Sequence, residues 1–289
     1  MLGICAVAIT AASVAMLRAV LRRCPPSPLI APDWSWVDAL LPFGIWYFIE
    51  FALGQLLIYG VHLPVIRALD AVLPASPLSA RLLAEAPAVL SEATSPITLA
   101  LRGAIRFGCA TFILMQAWVA GRSIDADWGL SRPNLPRGLG VGAMVFLALV
   151  PGWLVITTGW GMLLEATWRA TPQAAVDQFI HFIVHREVLA PMLLAFTAIV
   201  VAPLLEELLF RGLLLRGMIG ARIPAAFSVI ATSALFALVH ASVAASLPLF
   251  VFGCVLAVVF LRTGNLWVSI FLHAIFNASQ ILAMTIAAL

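Results

Sequence analysis

A chain of 289 residues that is 63% apolar and 10% charged, with mean hydropathy +1.10, is too greasy for an ordinary soluble domain and too poor in charge for a disordered one. Its net charge of +3 is spread along the sequence with no basic cluster, which excludes a nucleic-acid partner. What remains is an all-α, polytopic transmembrane bundle: a hydrocarbon layer about 30 Å thick admits only helices and closed barrels, and apolar runs near 20 residues recur here.

The first run, about residues 2–18, has no base before it and is followed by Arg18, Arg22 and Arg23, so it reads as a retained anchor and not as a secretory leader. A proline-rich connector over 24–38 ends in the interfacial Trp34 and Trp36. Spans follow at 39–61, 103–121 and 139–159, separated by a long loop (62–102, helical potential around 78–92) and a polar link (122–138). The segment 160–187 predicts an amphipathic surface helix around Gln173–His185. The last spans are expected at 188–210, 225–245, 247–262 and 266–286, giving about eight in all, with six as the lower bound. Gly138 and Gly142 sit in a glycine-rich stretch with no strand before it, so they predict close helix packing and not a phosphate loop. Cys5, Cys24, Cys109 and Cys254 lack CxxC spacing and read as small packing residues. Arginine placement puts Arg18, Arg22, Arg23, Arg122, Arg132, Arg137, Arg216, Arg222 and Arg262 on the cytoplasmic side. Both termini then face away from the cytoplasm, in a plasma (inner) membrane. The chain divides into 1–187, without a diagnostic motif, and 188–289, where the chemistry lies.

From Val188 to the C-terminus the only acidic residues are Glu206 and Glu207. A charge at mid-bilayer costs about 2.5–3.5 kcal/mol on insertion scales, so both must be paired, neutralised or wet. Glu207 and Arg211 are four apart on a helix and can pair. Glu206 points about 100° away and has no local partner. Pro203, one turn upstream, loosens the backbone there. In the next span Phe236 and His240 are again four apart. In the last one Ser269, His273, Asn277 and Gln280 share one helical stripe. His62, His181 and His185 fall in loops and are assigned no role.

If the chemistry is peptide hydrolysis within the membrane, the residues test the known solutions. A Ser–Lys dyad is impossible, because all 16 basic residues are arginine. The aspartates (33, 38, 70, 125, 127 and 177) fall in loops or at span edges, and neither HExxH nor GxSxG occurs. Glutamate with histidine is left. Glu206 can act as general base on a water that His240 orients. His273 and Asn277 can donate to the oxyanion, where losing one donor costs about 2.7–4 kcal/mol of barrier. Alternatively, Glu206, His240 and His273 offer a ligand set for a divalent metal such as zinc. Residue types leave both versions open.

The ordered motifs EExxxR (Glu206, Glu207, Arg211), FxxxH (Phe236, His240) and HxxxN (His273, Asn277) resemble the CPBP intramembrane protease family over about residues 190–285. That family includes the type II CAAX prenyl endopeptidases, which remove the last three residues of prenylated proteins, and bacterial proteins linked to bacteriocin immunity. The resemblance implies an intramembrane endopeptidase acting on a membrane-associated protein or peptide within the lipid bilayer. Glu206 and His240 would activate water, His273 and Asn277 would complete the site, and Glu207, Arg211 and Phe236 would support it. The family is often labelled metalloprotease, although a metal-free glutamate mechanism also suits it. Two other functions use the same residue types: a non-catalytic scaffold or immunity protein, and a proton-coupled transporter. The latter usually brings internal repeats, and none is evident here. The catalytic reading carries one demand. Glu206, near the end of the span 188–210, must reach His240, deep in the span 225–245.

Overall fold

The computed structural model describes residues 2–24, 96–119, 121–167 and 188–288, together with the helical positions Gly44 and Phe48. The rest of the expected 39–61 span, most of the 62–102 loop and the Gln173–His185 helix lie outside the described residues. Those described form eight helical elements and no strand. They are α1 (Leu2–Arg22), α2 (Pro96–Val119), α3 (Ile124–Trp128) and α4 (Asn134–Thr167), then α5 (Leu189–Gly220), α6 (Ala225–Leu238), α7 (Val243–Thr263) and α8 (Leu266–Ala288).

Five of these helices (α1, α4, α5, α7 and α8) are long and apolar enough to cross a bilayer. Helix α2, with 24 residues, is also long but carries Arg102 and Arg106. Their outward faces expose large apolar side chains, among them Phe107, Leu147, Leu154, Met192 and Ile286, as lipid contact requires. The protein is an all-helical integral membrane protein.

Small residues set the helix spacing. A β-carbon added at Gly138 would collide with Trp267, and one at Gly142 would lie 3.0 Å from the backbone nitrogen of Leu272. The close packing expected at these two glycines is that of α4 on α8. Pro151 interrupts the ladder of α4, and the following amide, Gly152 N–H, turns to Ser13 Oγ of α1 at 2.8 Å. The four cysteines are free; Cys24 is buried, Cys109 and Cys254 are half-buried, and Cys5 is exposed.

Four expected spans are corrected: that at 103–121 is α2, Pro96–Val119, and that at 139–159 is α4, Asn134–Thr167. The 188–210 span continues to Gly220, because Arg211 is neutralised inside the bundle and does not end the helix. The 225–245 span stops at Leu238 after 14 residues, about 21 Å of helix and short of a bilayer. There the chain turns through Ala241, in the left-handed region at φ 49°, and Ser242 caps α7 by accepting from the Ala245 amide at 3.3 Å. Glu206 therefore sits near the middle of its helix, and His240 in a turn at the end of a short one. Both shifts bring them together.

Candidate active site

Helix α5 is not uniform. A π-helical stretch, Thr197–Val201, is followed by one α-helical segment, Ala202–Glu207, and a second π-helical stretch, Leu208–Leu215. The sequence explains the first. Ala202 N–H bonds the Thr197 carbonyl five residues back, and in that register the Ala198 carbonyl would take its hydrogen from residue 203. Pro203 has none to give. Asn277 of α8 supplies it, its Nδ2 donating to the Ala198 carbonyl at 2.7 Å.

The α-helical segment carries Glu206 and Glu207, facing about 100° apart. Glu207 is fully buried, and its Oε1 accepts from Arg211 Nη1 at 2.8 Å and from His273 Nδ1 at 2.9 Å. Arg211 is 1% exposed and also donates through Nη2 to the Gly253 carbonyl at 3.1 Å. Its guanidinium lies 4.8 Å from the Phe236 ring centroid. Ser233 of α6 packs closely on Gly253, where a β-carbon would lie 3.0 Å from the Ser233 Cβ. A charge this deep is tolerable only with its partners in place.

Glu206 faces the other way. Its Oε2 stands 4.0 Å from His240 Nε2 and 3.9 Å from His273 Nε2, and has no hydrogen-bond partner among the described residues. A polar gap of that width suits a bridging water; one about 2.8 Å from both atoms of such a pair subtends roughly a right angle.

Helix-end chemistry fixes His240. The last carbonyls of a helix lack intrahelical partners, and His240 Nδ1 lies 2.7 Å from the Phe236 carbonyl, one turn back. A carbonyl only accepts, so Nδ1 carries the hydrogen and Nε2 is turned towards Glu206. Phe236 packs against both imidazoles, with ring centroids 4.8 Å from His240 and 5.7 Å from His273. The FxxxH spacing thus places one aromatic ring under two histidines.

Glu206, His240, His273 and Asn277 line one cavity of about 490 Å³. The other predicted residues, Glu207, Arg211 and Phe236, form its buried backing. Of the polar stripe on α8, Gln280 also reaches the cavity, whereas Ser269 is buried and donates to the Leu256 carbonyl of α7. Sequence reasoning missed Arg106, which lines the cavity from α2; an arginine inside an apolar run was itself the signal. It also missed Trp153, Leu249, Phe252, Phe276 and Met284, apolar walls that no motif marks.

The zinc alternative does not fit this arrangement. Ligand atoms on a tetrahedral ion with bonds of about 2.0–2.1 Å lie roughly 3.3 Å apart, closer than Glu206 Oε2 stands to either imidazole. Among the described residues no group of three or more His, Cys, Asp or Glu side chains is placed to hold a metal.

Comparison with known proteins places residues 188–279 in a match to the family model for type II CAAX prenyl endopeptidases, Rce1-like. No curated protein and no solved structure matches the chain. The matched stretch runs from the start of α5 to just past Asn277 in α8, so it contains Glu206, Glu207, Arg211, Phe236, His240, His273 and Asn277, while Arg106 of α2, Trp153 of α4 and the end of α8 from Gln280 lie outside it.

Proposed function

Residues 188–279 match the Rce1-like family model for type II CAAX prenyl endopeptidases, and from that premise we propose that the protein hydrolyses a peptide bond in a membrane-associated protein or peptide, with Glu206 as the base. The family match supports an intramembrane endopeptidase in general. The observation that carries the finer reading is the meeting of Glu206 Oε2 with two imidazole Nε2 atoms, at 3.9 and 4.0 Å, in the wall of one cavity.

A water between Glu206 Oε2 and His240 Nε2 gives one hydrogen to each and aims its oxygen at the cavity. As that oxygen bonds the substrate's carbonyl carbon, its proton passes to Glu206. His273 keeps Nδ1 on Glu207, and with a hydrogen on Nε2 it donates to the new oxyanion. Glu206 then returns the proton to the departing amine as the C–N bond breaks, leaving a carboxyl end and an amine. Electrostatic stabilisation of this kind is strongest where water is scarce, and the walls formed by Trp153, Leu249, Phe252 and Phe276 are apolar. Those walls also suit a substrate that arrives from the lipid.

Comparing protein termini in membranes from host cells making the wild type or Glu206→Gln, at equal abundance, tests the reading. Termini present only with the wild type, and still formed after treatment with a chelator, are expected. Identical termini in the two samples, with a wild-type phenotype retained, would replace it with the scaffold or immunity reading.

A further inference from the structure

Asn277 was expected to act on the oxyanion; in the structure one hydrogen of its Nδ2 goes to a backbone carbonyl, that of Ala198, at 2.7 Å. That carbonyl lies inside α5, where the register set by the Ala202 N–H to Thr197 carbonyl bond assigns it the missing amide hydrogen of Pro203. Even a half-buried carbonyl without a donor is costly at membrane depth. Asn277 and Pro203 are thus the two halves of one hydrogen-bonding account.

We propose that Asn277 is a positioning residue for Glu206. It replaces the amide hydrogen that Pro203 lacks, and so holds the π-helical turn Thr197–Val201. A π turn contains one residue more than an α turn and rotates everything after it by about 100°. Glu206 and Glu207 stand on the segment directly after it. The turn therefore decides which carboxylate faces His240 and the cavity. Packing supports the turn from the far side too: Gly103 of α2 lies so close to Thr197 that a β-carbon there would come within 2.9 Å of Thr197 Oγ1. The stability consequence of this proposal stands alone, while its activity consequence rests on the proteolytic reading above.

The test is a double-mutant cycle with Asn277→Ala and Pro203→Ala, in purified full-length protein, reading turnover and thermal stability together. Misplacing a catalytic group by about 1 Å costs about 100-fold, so Asn277→Ala alone is expected to lose about that much turnover and to lower Tm. Pro203→Ala restores an N–H for the Ala198 carbonyl. In that background, adding Asn277→Ala is expected to cost less than about threefold in turnover and to leave Tm nearly unchanged. If Tm is rescued but the 100-fold loss persists, Asn277 acts on substrate and the positioning role is overturned. Equal Tm losses in both backgrounds overturn it as well. Should the wild type cleave nothing, the proteolytic reading falls, and the Tm cycle still decides whether Asn277 supports the turn.

Discussion

Glu206 and Glu207 are neighbours in sequence and occupy opposite surroundings. On the Glu207 side the carboxylate is fully buried and shares one oxygen between Arg211 and His273, and Arg211 in turn lies over Phe236 and donates to the Gly253 carbonyl. On the Glu206 side the side chain is 13% exposed and lines a cavity, and the nearest imidazole nitrogens stand 3.9 and 4.0 Å from its Oε2. One face of α5 holds its carboxylate against a buried arginine and an imidazole, and the other turns its carboxylate to the cavity. His273 joins the two, with Nδ1 in the closed cluster and Nε2 in the open one.

The contrast breaks most sharply at Glu206. Glu206→Gln keeps the shape and removes the base, so proteolysis should fall about 100- to 10,000-fold. Tm in detergent should move by no more than about 2 °C, since no hydrogen bond to the backing cluster is lost. A large Tm drop would place Glu206 among the structural charges. Arg211→Met should do the reverse. It leaves Glu207 buried without its cation and should destabilise the protein by about 3–5 kcal/mol, read as loss of folded protein on heating or in denaturant. Wild-type stability in that variant would dissolve the distinction between the two sides.

His240→Ala should lower turnover about 10- to 100-fold by leaving the water unaligned. Its effect on Tm should be far smaller than that of Arg211→Met, because the His240 side chain is 21% exposed and its hydrogen bond among the described residues reaches a helix-end carbonyl. The smallest effect is expected at Ala241, whose φ of 49° is unfavourable for a residue with a β-carbon. Ala241→Gly should relieve about 1 kcal/mol of that strain and raise Tm by a few degrees, with turnover little changed if the turn keeps its shape. A drop in turnover alone would mean that the stiffness of this turn, and not its conformation, holds His240 in place.

Much of the site was legible because helical spacing is a local property. Four-residue steps put Glu207 beside Arg211, His240 on the Phe236 carbonyl, and His273 and Asn277 on one stripe, and the structure keeps each relation. The glycines packing α4 on α8 were readable for the same reason. Helix ends were not. Arg211 marks the limit of an apolar run in the sequence, but a buried partner lets α5 continue to Gly220. Nothing near Val239 is a strong helix breaker, yet α6 ends there.

The sequence by itself determined that the protein is helical, that it lives in lipid, and which few polar residues must find one another there. Composition and periodicity dictate these things, because lipid forbids unsatisfied backbone and unpaired charge. Only the tertiary structure decided which glutamate is sealed and which stays open. That choice depends on a π-helical turn created by Pro203 and completed by Asn277, 74 positions further along the chain. Neither residue's local sequence contains the other, and only packing α5 against α8 brings the donor to the carbonyl that needs it.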